Sequence, residues 1–146
     1  MGDAAPRPAF RFHHLGVAVT DVDRATPFYR DFLGYSSVGA VTEDPIQRVR
    51  VCFLRSPDPA DPLVELVAPM SADSPLNTIL AKGGGAYHAC YCVDRIESAI
   101  SAARAGGCLA LTEPVPAAAF DGRRIAWLYS PGRQLIELLE GDATVG

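Results

Sequence analysis

The sequence has no hydrophobic run long enough to cross a membrane and no excess of basic residues. No apolar run approaches the roughly 20 residues that a membrane span requires. Its 13 lysines and arginines are outnumbered by 17 aspartates and glutamates, which gives a net charge of −4. A chain with this balance has no overall field that attracts nucleic acid or an anionic membrane. We therefore expect neither a nucleic acid nor a membrane as a partner.

Cysteine motifs and targeting signals are also lacking. Residues 1–8 are polar and proline-bearing, without the apolar core of a signal peptide, so we expect a cytoplasmic protein. The four cysteines form no C-x-x-C pair of the kind that binds zinc. A disulfide framework is not expected in a cytoplasmic chain of this size. The prediction is four buried free thiols, at Cys52, Cys90, Cys92 and Cys108.

What the sequence does contain is an internal repeat. Residues 50–57 resemble residues 124–131, which lie 74 positions further along the chain. Residues 63–67 resemble residues 135–139, and a hairpin loop that is two residues shorter in the second copy accounts for the smaller shift. Two copies of one supersecondary unit therefore fill the chain.

Each copy reads as one strand, one helix and three further strands. Within a single domain, 1–146, the first module covers about residues 10–68, a linker helix lies within about 69–85, and the second module covers about 86–141. The predicted strands span residues 14–20, 38–42, 49–55, 63–67, 88–93, 109–112, 124–129 and 135–139.

Capping residues mark where the predicted helices begin and end. Asp21 or Asp23 caps the first helix, which is expected to end before Gly34. Asp94 is the expected cap of a second long helix over 96–105. The linker helix is expected to open at Ser74–Pro75 and to run to about residue 82.

Histidines occupy equivalent places in the two copies. Side chains alternate across a strand, so His14 shares a face with two small residues, Gly16 and Ala18, and this face has room for a ligand. Either His13 or His14 would face inward under strict alternation. The repeat aligns His14 with His88, which favours His14.

Two glutamates stand in equally unusual places. Glu65 and Glu137 each lie at the centre of a five-residue apolar strand, at matching positions of the repeat. A buried carboxylate must be neutralised, paired or bound to a metal. One histidine or glutamate in a strand, taken alone, is usually structural. Together with His14 and His88, however, the two glutamates make four residues in matched positions, and these indicate one converging metal site. Cysteines facing the same cavity form a rival ligand set.

Several segments, in their order, resemble the vicinal oxygen chelate superfamily, which includes glyoxalases and methylmalonyl-CoA epimerases. The resemblance covers nearly the whole chain, and the stretches after residue 63 are more similar to the epimerase branch. The segments are His-Leu-Gly-Val-Ala-Val at 14–19, Phe-Tyr-Arg-Asp-Phe-Leu-Gly at 28–34, Val-Glu-Leu-Val-Ala-Pro at 64–69, Gly-Gly-Gly-Ala-Tyr-His at 83–88 and Leu-Ile-Glu-Leu at 135–138.

The resemblance implies both a fold and a chemistry. The fold is α+β, with two repeated βαβββ modules forming a cupped mixed sheet around a divalent ion held by His14, Glu65, His88 and Glu137. Zinc, nickel, cobalt or manganese would suit these ligands. The implied reaction moves a proton alpha to a carbonyl, in a CoA or other carrier-bound thioester, with Glu137 or Glu65 as the base. The resemblance also implies a homodimer.

Departures from the family pattern keep other functions open. Some epimerases carry a further glutamate where this chain has Arg50–Val51, and residues 127–131 read Trp-Leu-Tyr-Ser-Pro. A specialised biosynthetic intermediate is therefore a second substrate class. The alternatives are a glyoxalase similar to lactoylglutathione lyases and a non-catalytic small-molecule binding or resistance protein.

Overall fold

Two units of one strand, one helix and further strands lie side by side in a single mixed sheet. A computed structural model describes residues 8–142 of the chain. Residues 1–7, on which most of the expectation about a signal peptide rests, lie outside the described residues. The strands are β1 (Arg11–Ala18), β2 (Ser36–Asp44), β3 (Val49–Arg55), β4 (Leu63–Pro69), β5 (Gly85–Val93), β6 (Leu109–Ala110), β7 (Val115–Pro116), β8 (Arg124–Tyr129) and β9 (Leu135–Glu140).

The order of the strands shows how the two units meet. The sheet runs β2-β3-β4-β1-β5-β9-β8-β6, and β7 also pairs with β8. Strand β1 is parallel to β4, and β5 is parallel to β9, while β1 and β5 pair antiparallel at the centre. Each unit thus contributes its first strand to the joint between them. The predicted α+β fold, with two repeated modules in one mixed sheet, is confirmed.

Within residues 8–142, three α-helices accompany the sheet, α1 (Val22–Pro27), α2 (Leu76–Ala81) and α3 (Ile96–Ala105). Helix α1 packs through Val22 on one end of the sheet, and α3 packs through Ile96 and Ile100 on the other. Helix α2 contributes Leu76 to a separate apolar cluster that includes Phe53. This third cluster borders the candidate site.

Two β-bulges interrupt the pairing of β1 with β5. One residue is inserted in β1 between Phe12 and His14, and one in β5 between Ala86 and His88. The inserted residue of β5, Tyr87, occupies the place in its repeat that His13 occupies in the first. A bulge breaks the alternation of side chains across a strand. The structure therefore corrects the prediction that only one of the two consecutive histidines faces the site.

The first helix ends differently from the sequence prediction. Asp21 is its N-cap, and the Asp21 carboxylate accepts hydrogen bonds from the backbone N–H groups of Asp23 and Arg24. The α-helix stops at Pro27 and is followed by a π-helical turn over Phe28–Phe32, rather than running on to residue 33. Proline has no backbone N–H to donate to the preceding turn, which favours a change of helix type here.

The expected cap of α3 is wrong. Arg95, not Asp94, occupies the N-cap position and makes no side-chain capping hydrogen bond. Instead, the carboxylate of Glu140 on β9 accepts a 3.0 Å hydrogen bond from the backbone N–H of Ile96. The helix is thus capped from the neighbouring strand, which only the tertiary structure brings close.

Candidate metal centre and its cavity

The four predicted ligands come from the four central strands of the sheet. Glu65 lies on β4, His14 on β1, His88 on β5 and Glu137 on β9, and these strands are consecutive neighbours in the sheet. All four side chains are buried. Each offers one nitrogen or oxygen atom, and these atoms lie within 4.8 Å of one another. The structure therefore brings together the four residues that the sequence singled out.

The distances between these atoms suit a small divalent ion. His14 Nε2 lies 3.2 Å from His88 Nε2 and 3.2 Å from Glu137 Oε1. Glu65 Oε1 lies 3.5 Å from Nε2 of both histidines. Ligand atoms placed tetrahedrally at about 2.0–2.1 Å from zinc are about 3.3–3.4 Å apart. The donor types and their separations both fit a metal ion held among them.

A buried oxygen without a hydrogen bond supports the same fit. Glu137 Oε1 is near the two imidazoles but has no hydrogen-bond partner with acceptable geometry among residues 8–142. An unsatisfied buried polar atom is costly, so such atoms in a native structure call for an explanation. Metal coordination at this oxygen would satisfy it.

The charges in the cluster compensate one another. Burial by itself disfavours the charged imidazolium of His14, but Glu65 and Glu137 nearby outweigh it and raise the pKa of His14 to about 9. Burial likewise disfavours a charged Glu137, yet the adjacent imidazoles of His14 and His88 hold the pKa of Glu137 well below its usual range. Without an ion the cluster is thus a buried ion pair. Binding an ion displaces a proton from it.

Gly16 makes room for one of the imidazoles. A Cβ atom at this position would lie 1.9 Å from Cε1 and 2.1 Å from Nδ1 of His88. No side chain other than hydrogen fits there without moving the His88 ring. The position of the His88 ring on β5 therefore requires glycine at position 16 of β1.

The cluster opens into a largely apolar cavity of about 290 Å³. Its wall includes Glu65 and Glu137 together with Tyr87, Phe120 and Trp127, among other apolar residues. Among residues 8–142, no lysine or arginine lines the cavity. Burial, followed by the charge of Glu65 and of Glu137, raises the pKa of Tyr87 well above its usual value, so its hydroxyl stays protonated.

Asp44 also lines the cavity, and sequence reasoning missed it. Its Oδ1 accepts 3.0 Å hydrogen bonds from the backbone N–H groups of Ile46 and Gln47. Its Oδ2 accepts a 3.2 Å hydrogen bond from the N–H of Ala118, which belongs to a 3₁₀ turn of the second unit. This carboxylate ties the β2–β3 hairpin to the other module. In the sequence, the position of Asp44 before a turn indicates its hydrogen bonds to Ile46 and Gln47. No local pattern indicates its hydrogen bond to Ala118.

The rival cysteine set is less suited to a metal. Cys90 lies near His13 and His14, and the three could supply ligand atoms. Burial, and then the charge of Glu137, raises the pKa of Cys90 well above its usual value, so the thiol is protonated and a poor ligand. All four cysteines are free, as predicted, although Cys108 is only half-buried.

Within residues 8–142, no helix has the length and apolar character of a membrane span.

Comparison with known proteins places these features in a family. Residues 13–127 match the glyoxalase/bleomycin resistance protein/dioxygenase superfamily. The chain is 31% identical over 121 residues to the ethylmalonyl-CoA/methylmalonyl-CoA epimerase of Cereibacter sphaeroides, covering 82% of this chain and 87% of that enzyme. It is 38% identical over 92 residues to the mitochondrial methylmalonyl-CoA epimerase of Mus musculus, covering 62% of this chain. That match spans about half, 49%, of the mouse protein.

A solved structure agrees with the sequence relatives. A variant methylmalonyl-CoA epimerase of Streptomyces coelicolor, in complex with 2-nitronate-propionyl-CoA, superposes with a TM-score of 0.77 at 28% identity. The superposition covers 91% of this chain and 98% of that one. The family match over most of the chain, the bacterial relative and the shared two-module fold lead to one assignment: the chain belongs to the glyoxalase/bleomycin resistance protein/dioxygenase superfamily, that of the vicinal oxygen chelate proteins, and its homologues include methylmalonyl-CoA epimerases.

Proposed function

We propose that this protein is a divalent-metal-dependent epimerase that moves a proton alpha to the carbonyl of an acyl-CoA or other carrier-bound thioester. The observation that carries the proposal is the buried cluster of His14, Glu65, His88 and Glu137, which opens into an apolar cavity. The epimerase relatives support the reaction class. Methylmalonyl-CoA is the first substrate to test, because it is the substrate that their names share.

The donor set defines what the metal would contribute. A bound zinc, nickel, cobalt or manganese ion would act as a Lewis acid toward the negative charge that develops on the substrate carbonyl oxygen. Two carboxylates in the cluster balance the charge of a divalent ion, so a neutral centre would lie at the wall of the apolar cavity. His14 and His88 would be the neutral ligands.

Few other carboxylates are available to move the proton. On β3, where some epimerases carry a further glutamate, the cavity is lined by Val51. Asp44 also lines it, but the Asp44 carboxylate is already bound to three backbone N–H groups. Proton transfer therefore falls to Glu137 and Glu65, each of which has a second carboxylate oxygen beside the one nearest the histidines.

The repeat supplies the two-sided geometry that an epimerase needs. Inverting a stereocentre requires removal of a proton from one face of the planar intermediate and its return to the other face. Glu65 on β4 and Glu137 on β9 flank the central pair of strands on opposite sides. We infer that one carboxylate takes the alpha proton from one face, and that the other first takes a proton from solvent and delivers it to the opposite face, with Glu137 the first to test.

The lining of the cavity restricts how the substrate is held. Because no lysine or arginine lines it among the described residues, a substrate carboxylate would find no cationic side chain there. The positive charge available to a substrate carboxylate beside a thioester carbonyl would then be that of an ion held by His14, Glu65, His88 and Glu137. This favours malonyl-type thioesters over substrates that need a separate anion site.

The test is proton exchange with solvent. Wild-type protein, purified and loaded with zinc, cobalt, nickel or manganese, is incubated with methylmalonyl-CoA in deuterium oxide, and loss of the alpha proton is followed by NMR. We expect exchange that depends on the metal. Glu137→Gln is expected to keep its fold and lose at least about 100-fold in exchange rate, as a missing general base does. Glu113→Gln, at an exposed position outside this cavity, is the matched control.

Other outcomes would point elsewhere. Unchanged exchange in Glu137→Gln would remove Glu137 from proton transfer. Turnover of methylglyoxal with a thiol, without exchange on acyl-CoA esters, would identify a glyoxalase. Tight ligand binding with no proton exchange on any substrate would favour a binding or resistance protein and overturn the proposal.

A further inference from the structure

A histidine outside the four-residue cluster contacts one of its members directly. The bulge in β1 turns His13 toward the same side as His14, and Nδ1 of His13 lies 2.7 Å from Nδ1 of His14. The His13 ring also packs edge-on against Phe53 and Phe120, the two aromatic rings that flank His14. His13 is therefore held in place on the cavity side of the strand.

The direction of this hydrogen bond follows from the position of the other ring nitrogen. Nε2 of His14 faces His88, Glu65 and Glu137 and must be unprotonated to bind an ion. The single proton of a neutral His14 imidazole is then on Nδ1. His14 Nδ1 donates, and His13 Nδ1 accepts.

We propose that His13 is a positioning residue that fixes the tautomer and ring orientation of His14, so that Nε2 of His14 is presented to the metal. The inference rests on the metal site proposed above. A histidine that binds a metal generally donates a hydrogen bond from the N–H of its other ring nitrogen to an acceptor. This bond fixes the tautomer and increases the basicity of the ligand nitrogen. Here a neighbouring residue on the same strand supplies the acceptor, and the bulge makes this possible.

The two halves of the repeat differ in this respect. The residue equivalent to His13 is Tyr87, whose ring packs edge-on against His88 at a centroid distance of 4.5 Å. Nδ1 of His88 is buried and has no hydrogen-bond partner among the described residues. Only His14 therefore has a hydrogen-bond acceptor for its second ring nitrogen. The His88 ring is oriented by packing against Tyr87 and Trp127, and it occupies the room that Gly16 leaves.

The geometry favours an acceptor over a metal ligand for His13. Together with His14 and Cys90, His13 forms a second group of potential ligands. The 2.7 Å separation of the two Nδ1 atoms is a hydrogen-bond distance, whereas two nitrogens on one zinc ion are about 3.3 Å apart. A second metal ion is therefore an outcome that the experiment must detect rather than the expected one.

The first test measures metal affinity in matched variants. His13→Leu removes the acceptor, while His13→Asn keeps an acceptor oxygen close to the position of Nδ1. Zinc and cobalt dissociation constants are measured by chelator competition, and the cobalt absorption spectrum reports ligand geometry. We expect His13→Leu to bind either ion about 10–100-fold more weakly, with an altered cobalt spectrum, and His13→Asn to recover most of that loss. Circular dichroism and thermal melting report whether each variant folds.

A second measurement uses only the wild-type protein. The chain has three histidines, so the long-range ¹H–¹⁵N spectrum of protein labelled at histidine nitrogens is readily assigned. In the zinc-loaded protein we expect a protonated Nδ1 on His14 and an unprotonated Nδ1 on His13. This result does not depend on the folding of any variant.

The outcomes separate this inference from the proposed function. Wild-type protein that binds neither zinc nor cobalt overturns both. Tight binding that is equal in wild type and His13→Leu, or a proton on Nδ1 of His13 rather than of His14, overturns only the positioning role. A second equivalent of metal that is lost in both His13 variants would show that His13 is a ligand, which also overturns it.

Discussion

At the scale of single residues, the position of the His88 ring depends on the absence of a side chain at Gly16. We predict that Gly16→Ala displaces His88, because the added methyl group would lie about 2 Å from atoms of the His88 ring, far closer than packed atoms can approach. Metal binding should be lost or strongly weakened. The free energy of unfolding should fall by roughly 1–3 kcal/mol, the usual cost of forcing a methyl group into a packed core. Metal content after reconstitution and chemical denaturation measure the two effects.

A second glycine provides the control for this substitution. Gly132 does not adopt a positive φ, and the nearest atom to a Cβ there is Ser130 Oγ at 3.9 Å. Gly132→Ala should therefore change neither metal content nor stability appreciably. Full metal content in Gly16→Ala would show that the His88 ring is not constrained as the structure indicates.

At the scale of elements, α3 depends on a carboxylate from a neighbouring strand. The Glu140 carboxylate accepts a hydrogen bond from the backbone N–H of Ile96 at the start of the helix. It also forms an ion pair with Arg124 on β8. We predict that Glu140→Ala lowers the free energy of unfolding by about 1–2 kcal/mol, the usual cost of losing a helix cap. Denaturant titration measures the change.

The comparison variant at this scale keeps the cap and removes only a surface ion pair. Glu97 pairs with the same Arg124 from the exposed side of the helix. Glu97→Ala should lower the free energy of unfolding much less than Glu140→Ala does, because solvent screens an exposed ion pair. Equal losses in the two variants would mean that the cap from β9 contributes nothing beyond the ion pair.

At the scale of the whole molecule, the buried cluster makes the stability of the metal-free protein depend on pH. The pKa of His14 rises from its ordinary value of 6.5 to about 9 in the folded chain, through Glu65 and Glu137 and against the effect of burial. A group whose pKa is raised on folding stabilises the native state fully below its unfolded pKa, and this contribution is lost as the pH rises through the folded pKa. In the presence of a chelator, the free energy of unfolding should therefore fall between about pH 6.5 and 9.

The opposite slope distinguishes the metal-loaded protein. Metal binding requires a neutral His14, so a rising pH favours binding and the stabilisation that binding adds. In His14→Gln with a chelator, the decline over this pH range should be absent. A metal-free wild type whose stability is constant or rises over the same range would contradict the charge state assigned to the cluster.

The homodimer and the cytoplasmic location remain predictions.

The repeat, and with it the candidate site, follows from patterns within the amino-acid sequence. Apolar strands, helical segments and the matched positions of the four polar residues are local patterns, and they predicted strands β3 and β8 and helix α3 at the bounds that the structure has. A buried carboxylate in an apolar strand is costly wherever it occurs. For this reason Glu65 and Glu137 were recognisable without knowing what they face.

Features that depend on a partner strand follow from the three-dimensional packing instead. A bulge is defined by the register between β1 and β5, so the inward position of His13 could not be derived from alternation along β1 alone. The bonds from Asp44 to Ala118 and from Glu140 to Ile96 join residues far apart in the chain. Such contacts follow from how the two modules and their elements pack, and no local sequence pattern encodes that packing.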